Sequence, residues 1–343
     1  SFLYLETASG PMHISSINIL DGELDFDDVY KHFDERLHLL PAYRRKLAQV
    51  PLNLAHPTWV DDPDFDLANH LIHHALPEGT SLDEAVDAAV KINEPMLDRS
   101  KPLWMAYVIT GVPDKTLILH ETHHCMIDGA SGVELLAIIY DFDEEGDPVT
   151  PPKDSWQPQP PPGPNVLFNE ALSENLSKLA DTNWGGLMNA SLNQRDLLQR
   201  ASKVVSDFIT KPVTTAPFNA GIVGPQRRLA WMKLSFGDIR EIRRAMGGTI
   251  NDVVLTVVSE AVAQYLAGHE ERTDDQYIRI MCPVNVRTED QQGALGNQVS
   301  AIFPILPAWP MNAADRLAAV CVETTRIKHN QEAQALTMLQ ESA

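Results

Sequence analysis

The sequence is poor in basic residues and in cysteine. Its 343 residues include 27 Lys and Arg against 47 Asp and Glu, which gives a formal net charge of −20. A chain this acidic repels nucleic-acid phosphates, which argues against general nucleic-acid binding unless the few basic residues cluster. Any anionic ligand needs a local basic patch. The three cysteines are widely spaced, which predicts neither a disulfide framework nor a CxxC metal site and favours a reducing, cytoplasmic setting.

Long hydrophobic runs are also missing. No window holds the roughly 18 to 20 consecutive apolar residues of a membrane-spanning helix, and the first residues do not have the pattern of a signal peptide. We therefore expect any contact with a membrane to be made from its surface. The first residue is Ser1 rather than methionine, which leaves open that the sequence is a fragment of a longer chain.

Prolines crowd into one segment and divide the chain. Eight of the 24 prolines lie from Pro148 to Pro164, a density that forms neither helix nor sheet and is typical of an extended spacer. We predict a first domain over residues 1–147, a Pro-rich and helical linker over 148–215, and a second domain over 216–343. Both domains are long enough to bury a core.

Hydrophobic periodicity predicts helices and strands in both domains, so the fold class is α/β (α+β). In the first domain we expect strands at Met12–Leu20, Trp104–Thr110 and Thr116–His120, and helices at Phe26–Leu40 and Ser81–Asn93. In the second we expect strands near Arg228–Leu234, Tyr277–Val286 and Gln298–Leu306, and helices from Asp238, Ile250 and Asn312. The Val-rich segment from Ile250 to Ala267 is too long for an ordinary strand, which predicts a buried helix closed by Gly268.

The segment from His120 to Gly132 is the one richest in chemistry. It reads His-Glu-Thr-His-His-Cys-Met-Ile-Asp-Gly-Ala-Ser-Gly and lies between an apolar strand and an apolar helix. The first interpretation is a zinc metalloprotease, because His120-Glu121-x-x-His124 matches HExxH. That motif requires a helix, whereas four strand steps of ~3.3 Å would separate the two rings by about 13 Å. Glu144 and Glu145 lie where a third ligand could sit, so this interpretation stays open.

Two further interpretations of the segment compete with zinc binding. In a purely structural one, the histidines contact the backbone, Asp128 caps the following helix and Gly129 forms the turn. In the other, His124 is a general base that takes a proton from a hydroxyl or thiol, with Asp128 fixing the ring or the local backbone. Gly129 and Gly132 would let a long, thin substrate pass close to the chain. No GxSxG elbow is present, so a serine hydrolase is not indicated.

His123-His124-Cys125-Met126-Ile127-Asp128-Gly129 resembles the HHxxxDG motif of the CoA-dependent acyltransferase superfamily, which includes chloramphenicol acetyltransferase-like enzymes and condensation domains of peptide synthetases. Other segments resemble landmarks of one branch, the bacterial wax ester synthase/diacylglycerol acyltransferases. They are Pro11–His13, Pro102-Leu103-Trp104, Gly224–Arg228, Gly248–Val254 with Asn251-Asp252, and Pro283–Arg287 with Gly296-Asn297. The resemblance covers nearly the whole chain.

The resemblance implies two chloramphenicol acetyltransferase-like domains with the active site in a tunnel between them, and a second domain that is incomplete in this sequence. Acyl-CoA would enter from one side and diacylglycerol or a long-chain fatty alcohol from the other, giving triacylglycerol or wax ester. Neither a cofactor nor a metal would be needed, since acyl-CoA is a substrate. His124 would be the general base, His123 and Asp128 would support its geometry, and Gly129 would leave room for substrate.

The resemblance also assigns roles outside the histidine motif. Asn251 would donate to the developing oxyanion, a contribution of ~3 to 4 kcal/mol in such sites, and Asp252 and Asn297 would bind substrate. A helix N-cap role for Asn251 or Asp252 is an equal alternative. Pro102, Leu103 and Trp104 would shape the wall of the site, with a turn and a core tryptophan as the alternative. Candidate clusters for CoA phosphates are Arg44–Lys46, Arg227-Arg228, and Arg240 with Arg243-Arg244.

Two other functions are compatible with the same motif. A condensation-domain-like transferase would use carrier-bound thioesters in place of acyl-CoA, and a non-catalytic lipid-surface binding protein could share the fold. Because the expected substrates are lipids, we expect a cytoplasmic protein with peripheral contact to a membrane or to lipid inclusions. The sequence leaves the oligomeric state open.

Overall fold

The computed structural model describes residues 2–126, 135–141, 146, 149–181, 216–219, 221, 223–269, 275–285 and 299–329. They form two compact units. Of the described residues, the first unit contains 2–181 and 223–230, and the second contains 216–221, 231–285 and 299–329. Residues 149–181, part of the predicted linker, are grouped with the first unit. The domain boundaries stay a prediction.

The first unit is built on one sheet with helices on both faces. Its strands are β1 (His13–Asp21), β2 (Arg45–Ala48), β3 (Thr58–Asp61), β4 (Leu71–Ala75), β5 (Trp104–Val112) and β6 (Lys115–His123), and its helices are α1 (Phe2–Leu5), α2 (Phe26–Arg36), α3 (Leu82–Ile92) and α4 (Pro164–Asp181). The sheet has the order β1-β6-β5-β4, while β2 and β3 pair separately. Strand β6 runs antiparallel to β1 and β5, and β4 runs parallel to β5.

Strand β6 lies inside the sheet and is buried on both faces. Every residue from 116 to 123 is buried, as expected for a strand covered on two sides. On one face Ile118 packs with Phe33 of α2. On the other, Leu117 and Leu119 pack against α3. The predicted strands and helix α3 are confirmed, although β6 continues to His123, past the predicted end at His120. Helix α2 ends at Arg36, before the predicted end at Leu40, and a 3-10 helix follows at Leu37–Leu39.

Helix α3 shows why these segments form where they do. Ser81 and Glu84 form a capping box, in which each side chain accepts a hydrogen bond from the other residue's backbone N–H. Ala85 and Ala89, one helical turn apart, are fully buried against the sheet. The helix ends at Ile92, before Pro95, because the residue preceding a proline avoids the helical conformation.

The second unit combines three helices with two short strand pairs. Its helices are α5 (Phe236–Met246), α6 (Ile250–Gly268) and α7 (Ala313–His329), and its strands are β7 (Tyr277–Arg279), β8 (Cys282–Asn285), β9 (Val299–Ile302) and β10 (Ile305–Pro307). Strand β7 pairs antiparallel with β10, and β8 with β9. Leu255, Leu266, Ile278, Leu306 and Val320 form its core. The strand predicted at Tyr277–Val286 is therefore divided into β7 and β8, and the one predicted at Gln298–Leu306 into β9 and β10. Pro304, which has no N–H to donate, lies between β9 and β10.

The strand predicted near Arg228–Leu234 is wrong, because residues 223–235 have irregular backbone. Trp231, Met232 and Leu234 are exposed there. A strand needs a neighbour that pairs with its backbone N–H and C=O groups. None of the strands in the described part of the chain pairs with this segment.

Helix α6 forms as predicted, but it is not buried all round. It buries Val253, Leu255 and Ala263, whereas Val254 and Val257 are exposed. By length and composition, α6 is also the one described helix that could cross a membrane. Of its apolar 18-residue stretch, 33% is buried. A core helix of a soluble protein meets the same criterion, and α6 packs into the core of its own unit.

Candidate active site

Strand β6 ends in a turn that is held from both sides. The backbone N–H of His123 donates to the carbonyl of Leu103 at 2.9 Å, and that of His124 donates to the carbonyl of Met12 at 2.7 Å. Met126 N–H then donates to the carbonyl of His123 at 2.9 Å, which closes the turn. The residues before β1 and β5 therefore fix the backbone of both histidines.

The His123 ring is locked in one tautomer. Its side chain has no exposed surface, and its Nδ1 accepts a hydrogen bond from the Cys125 N–H at 3.1 Å. The proton of the neutral ring is therefore on Nε2, which lies 3.4 Å from Glu6 Oε1. Burial lowers the pKa of His123 by more than the nearby charge of Glu6 raises it. The ring is therefore neutral at pH 7.

Glu6 is a site residue that the sequence did not reveal. Its buried carboxylate accepts hydrogen bonds from Met12 N–H at 3.0 Å and from Arg99 Nε and Nη2 at 3.2 and 2.8 Å. Burial alone would raise the pKa of Glu6, but these hydrogen bonds and the charge of Arg99 bring it below its usual value. Glu6 is therefore ionised, and it tethers the segment before β1 to His123.

The second histidine of the motif is placed differently. His124 is partly exposed, and its ring stacks on Phe2 of α1 with a centroid distance of 4.0 Å and an interplanar angle of 9°. The stacking fixes the plane of the ring, whose Nδ1 is buried. A fixed ring suits a general base, because the base must lie within hydrogen-bond reach of the proton that it takes.

Cys125 follows His124 but is unsuited to covalent catalysis. Burial raises the pKa of its thiol to about 12. A backbone hydrogen bond and the charge of Arg99 lower this pKa by less than burial raises it. The attacking species in cysteine catalysis is the thiolate, which is scarce here at neutral pH. The chemistry of the turn therefore favours proton transfer by His124 over attack by Cys125.

The HExxH interpretation fails on backbone geometry. Strand β6 is extended from Lys115 to His123, so His120 and His124 are not one helical turn apart, as a zinc site of that type requires. His120 instead shares a hydrogen bond of 2.9 Å with the Tyr43 hydroxyl, and burial lowers its pKa to about 4. Glu144 and Glu145 lie outside the described residues.

The Pro102-Leu103-Trp104 segment is buried. Trp104 has no exposed surface; its Nε1–H donates to the Tyr43 carbonyl at 2.9 Å, and its ring stacks on those of Tyr43 and His70. This placement supports the alternative of a core tryptophan. Leu103 reaches the site through its carbonyl, which accepts from His123 N–H. Contact of the three side chains with substrate stays a prediction.

In the second unit, the structure places Asp252 in a capping role. Its Oδ2 accepts from Thr249 N–H and Oγ1 at 2.7 and 2.8 Å, in a capping box at the start of α6. Its Oδ1 accepts from the Thr324 hydroxyl of α7 at 2.7 Å. Both oxygens are thus engaged inside the unit, while the neighbouring Asn251 is exposed on the first turn. Oxyanion donation by Asn251 and substrate binding by Asp252 stay predictions.

The capping role of Asp252 leads to a stability prediction. Asp252→Asn should lower the free energy of unfolding by about 1–3 kcal/mol, because an amide NH2 would face donors inside the capping box. Chemical denaturation at pH 7 measures this. Asp238→Asn is the matched control, since Asp238 is an exposed acid in the first turn of α5, and should cost less than about 0.5 kcal/mol. Equal losses in the two variants would contradict the capping role.

The basic clusters predicted for CoA phosphates are mostly engaged within the first unit. Arg45 pairs with Asp61 at 3.1 Å and Lys46 with Asp62 at 2.7 Å. The Arg44 guanidinium lies over the Trp156 ring at 5.0 Å. Arg227 donates to the carbonyls of Ser9, Gly224 and Gln226. Arg240, Arg243 and Arg244 lie on α5 and are exposed, and phosphate binding by any cluster stays a prediction.

Three predicted site residues, Asp128, Gly129 and Asn297, lie outside the described residues, and their roles stay predictions.

Among known proteins, the model of the wax ester synthase/diacylglycerol acyltransferase catalytic domain matches residues 1–254. A putative diacylglycerol O-acyltransferase of Mycobacterium tuberculosis H37Rv is 30% identical over 327 residues, covering 92% of this chain and 68% of that protein. A probable diacylglycerol O-acyltransferase of the same strain is 28% identical, covering 92% and 66%.

Two solved structures share the fold. The wax ester synthase/diacylglycerol acyltransferase from Marinobacter aquaeolei VT8 matches with a TM-score of 0.61 and 18% identity, covering 97% of this chain and 73% of that one. The first condensation domain of the calcium-dependent antibiotic synthetase matches with a TM-score of 0.62 and 14% identity, covering 96% and 72%. At these identities the likeness is one of fold. Both structural matches span nearly the whole chain.

Proposed function

The chain belongs to the wax ester synthase/diacylglycerol acyltransferase family, and we propose that His124 is the general base of its reaction. It is an O-acyltransferase with a chloramphenicol acetyltransferase-like α/β fold, and its reaction makes triacylglycerol or wax ester. One observation carries the proposal about His124. Of the two motif histidines, His123 is buried and fixed as a neutral ring, whereas His124 is partly exposed and held in plane on Phe2.

The proposed step moves one proton and exchanges one bond. His124 takes the proton from the acceptor hydroxyl as its oxygen attacks the carbonyl carbon of acyl-CoA, forming the new ester C–O bond. The tetrahedral intermediate then collapses and the C–S bond breaks. The CoA thiolate takes the proton back from the His124 imidazolium, so the base is restored. No cofactor enters this balance, since acyl-CoA supplies the acyl group.

Glu6 and His123 would act on this step by positioning His124. The Glu6 carboxylate faces Nε2 of His123 and so favours the tautomer whose Nδ1 accepts from Cys125 N–H. That hydrogen bond spans His124 and fixes the turn. Asp128 is proposed to complete the arrangement, as the family motif implies.

Glu6→Gln tests this positioning role. The amide keeps the shape of the side chain but loses its charge, so Arg99 loses its ionic partner and His123 its tautomer preference. We expect kcat to fall about 10- to 100-fold, the order of loss caused by a misplacement of up to ~1 Å. Glu78→Gln, an exposed site, is the control. An unchanged kcat in folded Glu6→Gln would contradict the role.

The acceptor and the setting are part of the proposal. Diacylglycerol and long-chain alcohols reside in membranes and lipid inclusions, so we propose that the protein works in the cytoplasm, in peripheral contact with such surfaces. The cysteines at 125, 282 and 321 are unpaired, which supports a reducing compartment. A flotation assay with liposomes containing diacylglycerol checks this, and a protein that stays at the bottom of the gradient would contradict it.

Product analysis tests the function. The protein is incubated with palmitoyl-CoA and either hexadecanol or diacylglycerol, and released CoA and lipid products are quantified together. We expect equal amounts of CoA and ester with at least one acceptor, which also names the preferred acceptor. CoA release without ester would indicate a thioesterase. Ester formed only from carrier-bound thioester would indicate a condensation-type transferase, and binding to liposomes without any turnover a non-catalytic protein.

A further inference from the structure

The chain before β1 contacts both histidines of the turn that follows β6. The Glu6 carboxylate faces His123, and the Met12 carbonyl accepts a hydrogen bond from the His124 N–H at 2.7 Å. We call residues 6–12 the N-terminal loop. Its first and last residues are also joined to each other, because Met12 N–H donates to Glu6 Oε1 at 3.0 Å. The two groups that hold the histidines are therefore the two ends of one closed loop.

The tip of the N-terminal loop is a narrow turn. Thr7 and Gly10 exchange two backbone hydrogen bonds, of 3.2 and 3.0 Å, and the hydroxyls of Thr7 and Ser9 share one of 3.4 Å. These bonds fix the shape of the tip, but they lie within the loop and do not attach it to the rest of the unit. Residues 7–9 are exposed. The position of the tip therefore depends on contacts made from outside the loop.

Arg227 makes such a contact from far along the sequence. Its Nη2 donates to the Ser9 carbonyl at 2.7 Å, across 218 positions. Its Nη1 donates to the carbonyls of Gly224 and Gln226 at 2.9 and 3.1 Å. Every other residue from 223 to 235 is exposed, whereas Arg227 is partly buried. Both terminal nitrogens of the rigid guanidinium are thus engaged, which holds the side chain in one orientation.

The backbone of Arg227 is attached to a second part of the same unit. Its N–H donates to Glu94 Oε1 at 2.9 Å. Glu94 follows Asn93, the residue after α3, whose carbonyl accepts from His13 Nε2 at 2.8 Å. His13 begins β1 and lies opposite His123 in the pairing of β1 with β6. Arg227 therefore joins the tip of the N-terminal loop to the end of α3, beside the strand ends that carry the site.

We propose that Arg227 is a positioning residue for acyl transfer, because it fixes the N-terminal loop against the end of α3 and so keeps Glu6 and the Met12 carbonyl on the two histidines. The proposal rests on the function proposed for His124. Arg227 acts through the loop and not on the reacting atoms. This role differs from the binding of CoA phosphates, for which the sequence made Arg227 a candidate.

Arg227→Lys tests the proposal, because lysine keeps the charge but lacks the fork of N–H donors that spans three carbonyls. We expect kcat to fall about 10- to 100-fold, since small misplacements of a catalytic group have effects of this order. The KM for palmitoyl-CoA should stay within about twofold of wild type. A raised KM with unchanged kcat would place Arg227 in the CoA site and would overturn the proposal.

Arg326→Lys is the matched control for this substitution. Arg326 is also partly buried, but it pairs with Glu323 within α7 at 2.7 Å. The control should keep both kcat and KM within about twofold of wild type. An equal fall of kcat in the two variants would show that any loss of a partly buried arginine lowers activity, and the specific role of Arg227 would be wrong.

A double-mutant cycle with Glu6→Gln distinguishes positioning through the loop from a general weakening of the fold. Because both substitutions act through the same loop, the double variant should lose little more kcat than Glu6→Gln alone, within about threefold. Independent effects would multiply, so that two tenfold losses would give about a hundredfold loss. Multiplication of the two losses would contradict the proposal.

Hydrogen exchange gives a readout that does not depend on activity. The N–H groups of Met12 and His124 are both hydrogen-bonded at the ends of the N-terminal loop. Arg227→Lys should speed their exchange by about tenfold or more, because the loop opens more often. Leu119, paired on both sides within the sheet, should exchange as in wild type and so report an intact fold. Unchanged exchange at Met12 and His124 would overturn the proposal.

The readouts separate this proposal from the function on which it rests. If no protein forms ester while exchange at Met12 and His124 is faster in Arg227→Lys, then the proposed function fails and the role in acyl transfer fails with it. Arg227 then only holds the loop. If wild type forms ester and Arg227→Lys keeps its kcat, the function stands and the role of Arg227 is wrong.

Discussion

His124→Ala is expected to lower kcat/KM for ester formation by about 10²- to 10⁴-fold, the usual contribution of a positioned general base. The loss should appear with either acceptor, because proton removal from the hydroxyl is common to both reactions. The fold should survive, since the backbone N–H of residue 124 still donates to the Met12 carbonyl and the side chain is only partly buried. Initial rates over a range of acyl-CoA concentrations measure the effect.

His56→Ala is the matched control for this variant. His56 is exposed and, like His124, contacts α1, where its Nδ1 shares a 3.1 Å hydrogen bond with the Tyr4 hydroxyl. Its removal should change kcat/KM by less than about twofold. A loss below about tenfold in His124→Ala, with melting temperatures unchanged, would mean that another group takes the proton.

Trp104→Ala is expected to lower the free energy of unfolding by about 3–5 kcal/mol, the range for removing a large aromatic side chain from a core. The substitution leaves a cavity between Tyr43 and His70 and removes the donor to the Tyr43 carbonyl. Since domains of this kind are stable by only about 5–15 kcal/mol, much of the folding stability would be lost. Denaturant unfolding of both proteins measures the difference.

Two further variants make the Trp104 result specific. Trp104→Phe keeps an aromatic ring but not the indole N–H, and should cost about 1–3 kcal/mol through the unpaired carbonyl. Trp231→Ala removes a tryptophan that is 52% exposed and should cost less than about 0.5 kcal/mol. A small effect in Trp104→Ala combined with a raised KM would instead place the side chain in the substrate wall.

Local patterns predicted β1, β5, β6 and α3 of the first unit, but not β2, β3 or β4. The position of α3 in the sequence follows from its capping box and its apolar stripe. The position of β6 follows from its continuous run of buried residues. Each of these signals comes from residues that are close together in the sequence, which is why it can be read without a structure. The strand near Arg228–Leu234 was predicted wrongly because a strand depends on a pairing partner elsewhere in the chain, which a local pattern does not reveal.

The candidate site was predicted only in part. The motif identified both histidines, but the sequence did not distinguish the buried, fixed ring of His123 from the partly exposed ring of His124. Glu6 was missed because it reaches His123 through a turn before β1, and no spacing rule joins residues so far apart. Arg227 was assigned only to a basic cluster, because its hydrogen bond to the Ser9 carbonyl joins residues 218 positions apart.

The central claim is that the acyl group passes directly from CoA to a lipid hydroxyl activated by His124. A single-turnover experiment with acyl-labelled palmitoyl-CoA, with and without the preferred acceptor, tests it most directly in wild type and His124→Ala. The label should pass from thioester to ester only when acceptor is present, should never bind to protein, and should stay on CoA in the variant. Label on the protein, at Cys125 for example, or equal transfer by His124→Ala, would contradict the claim.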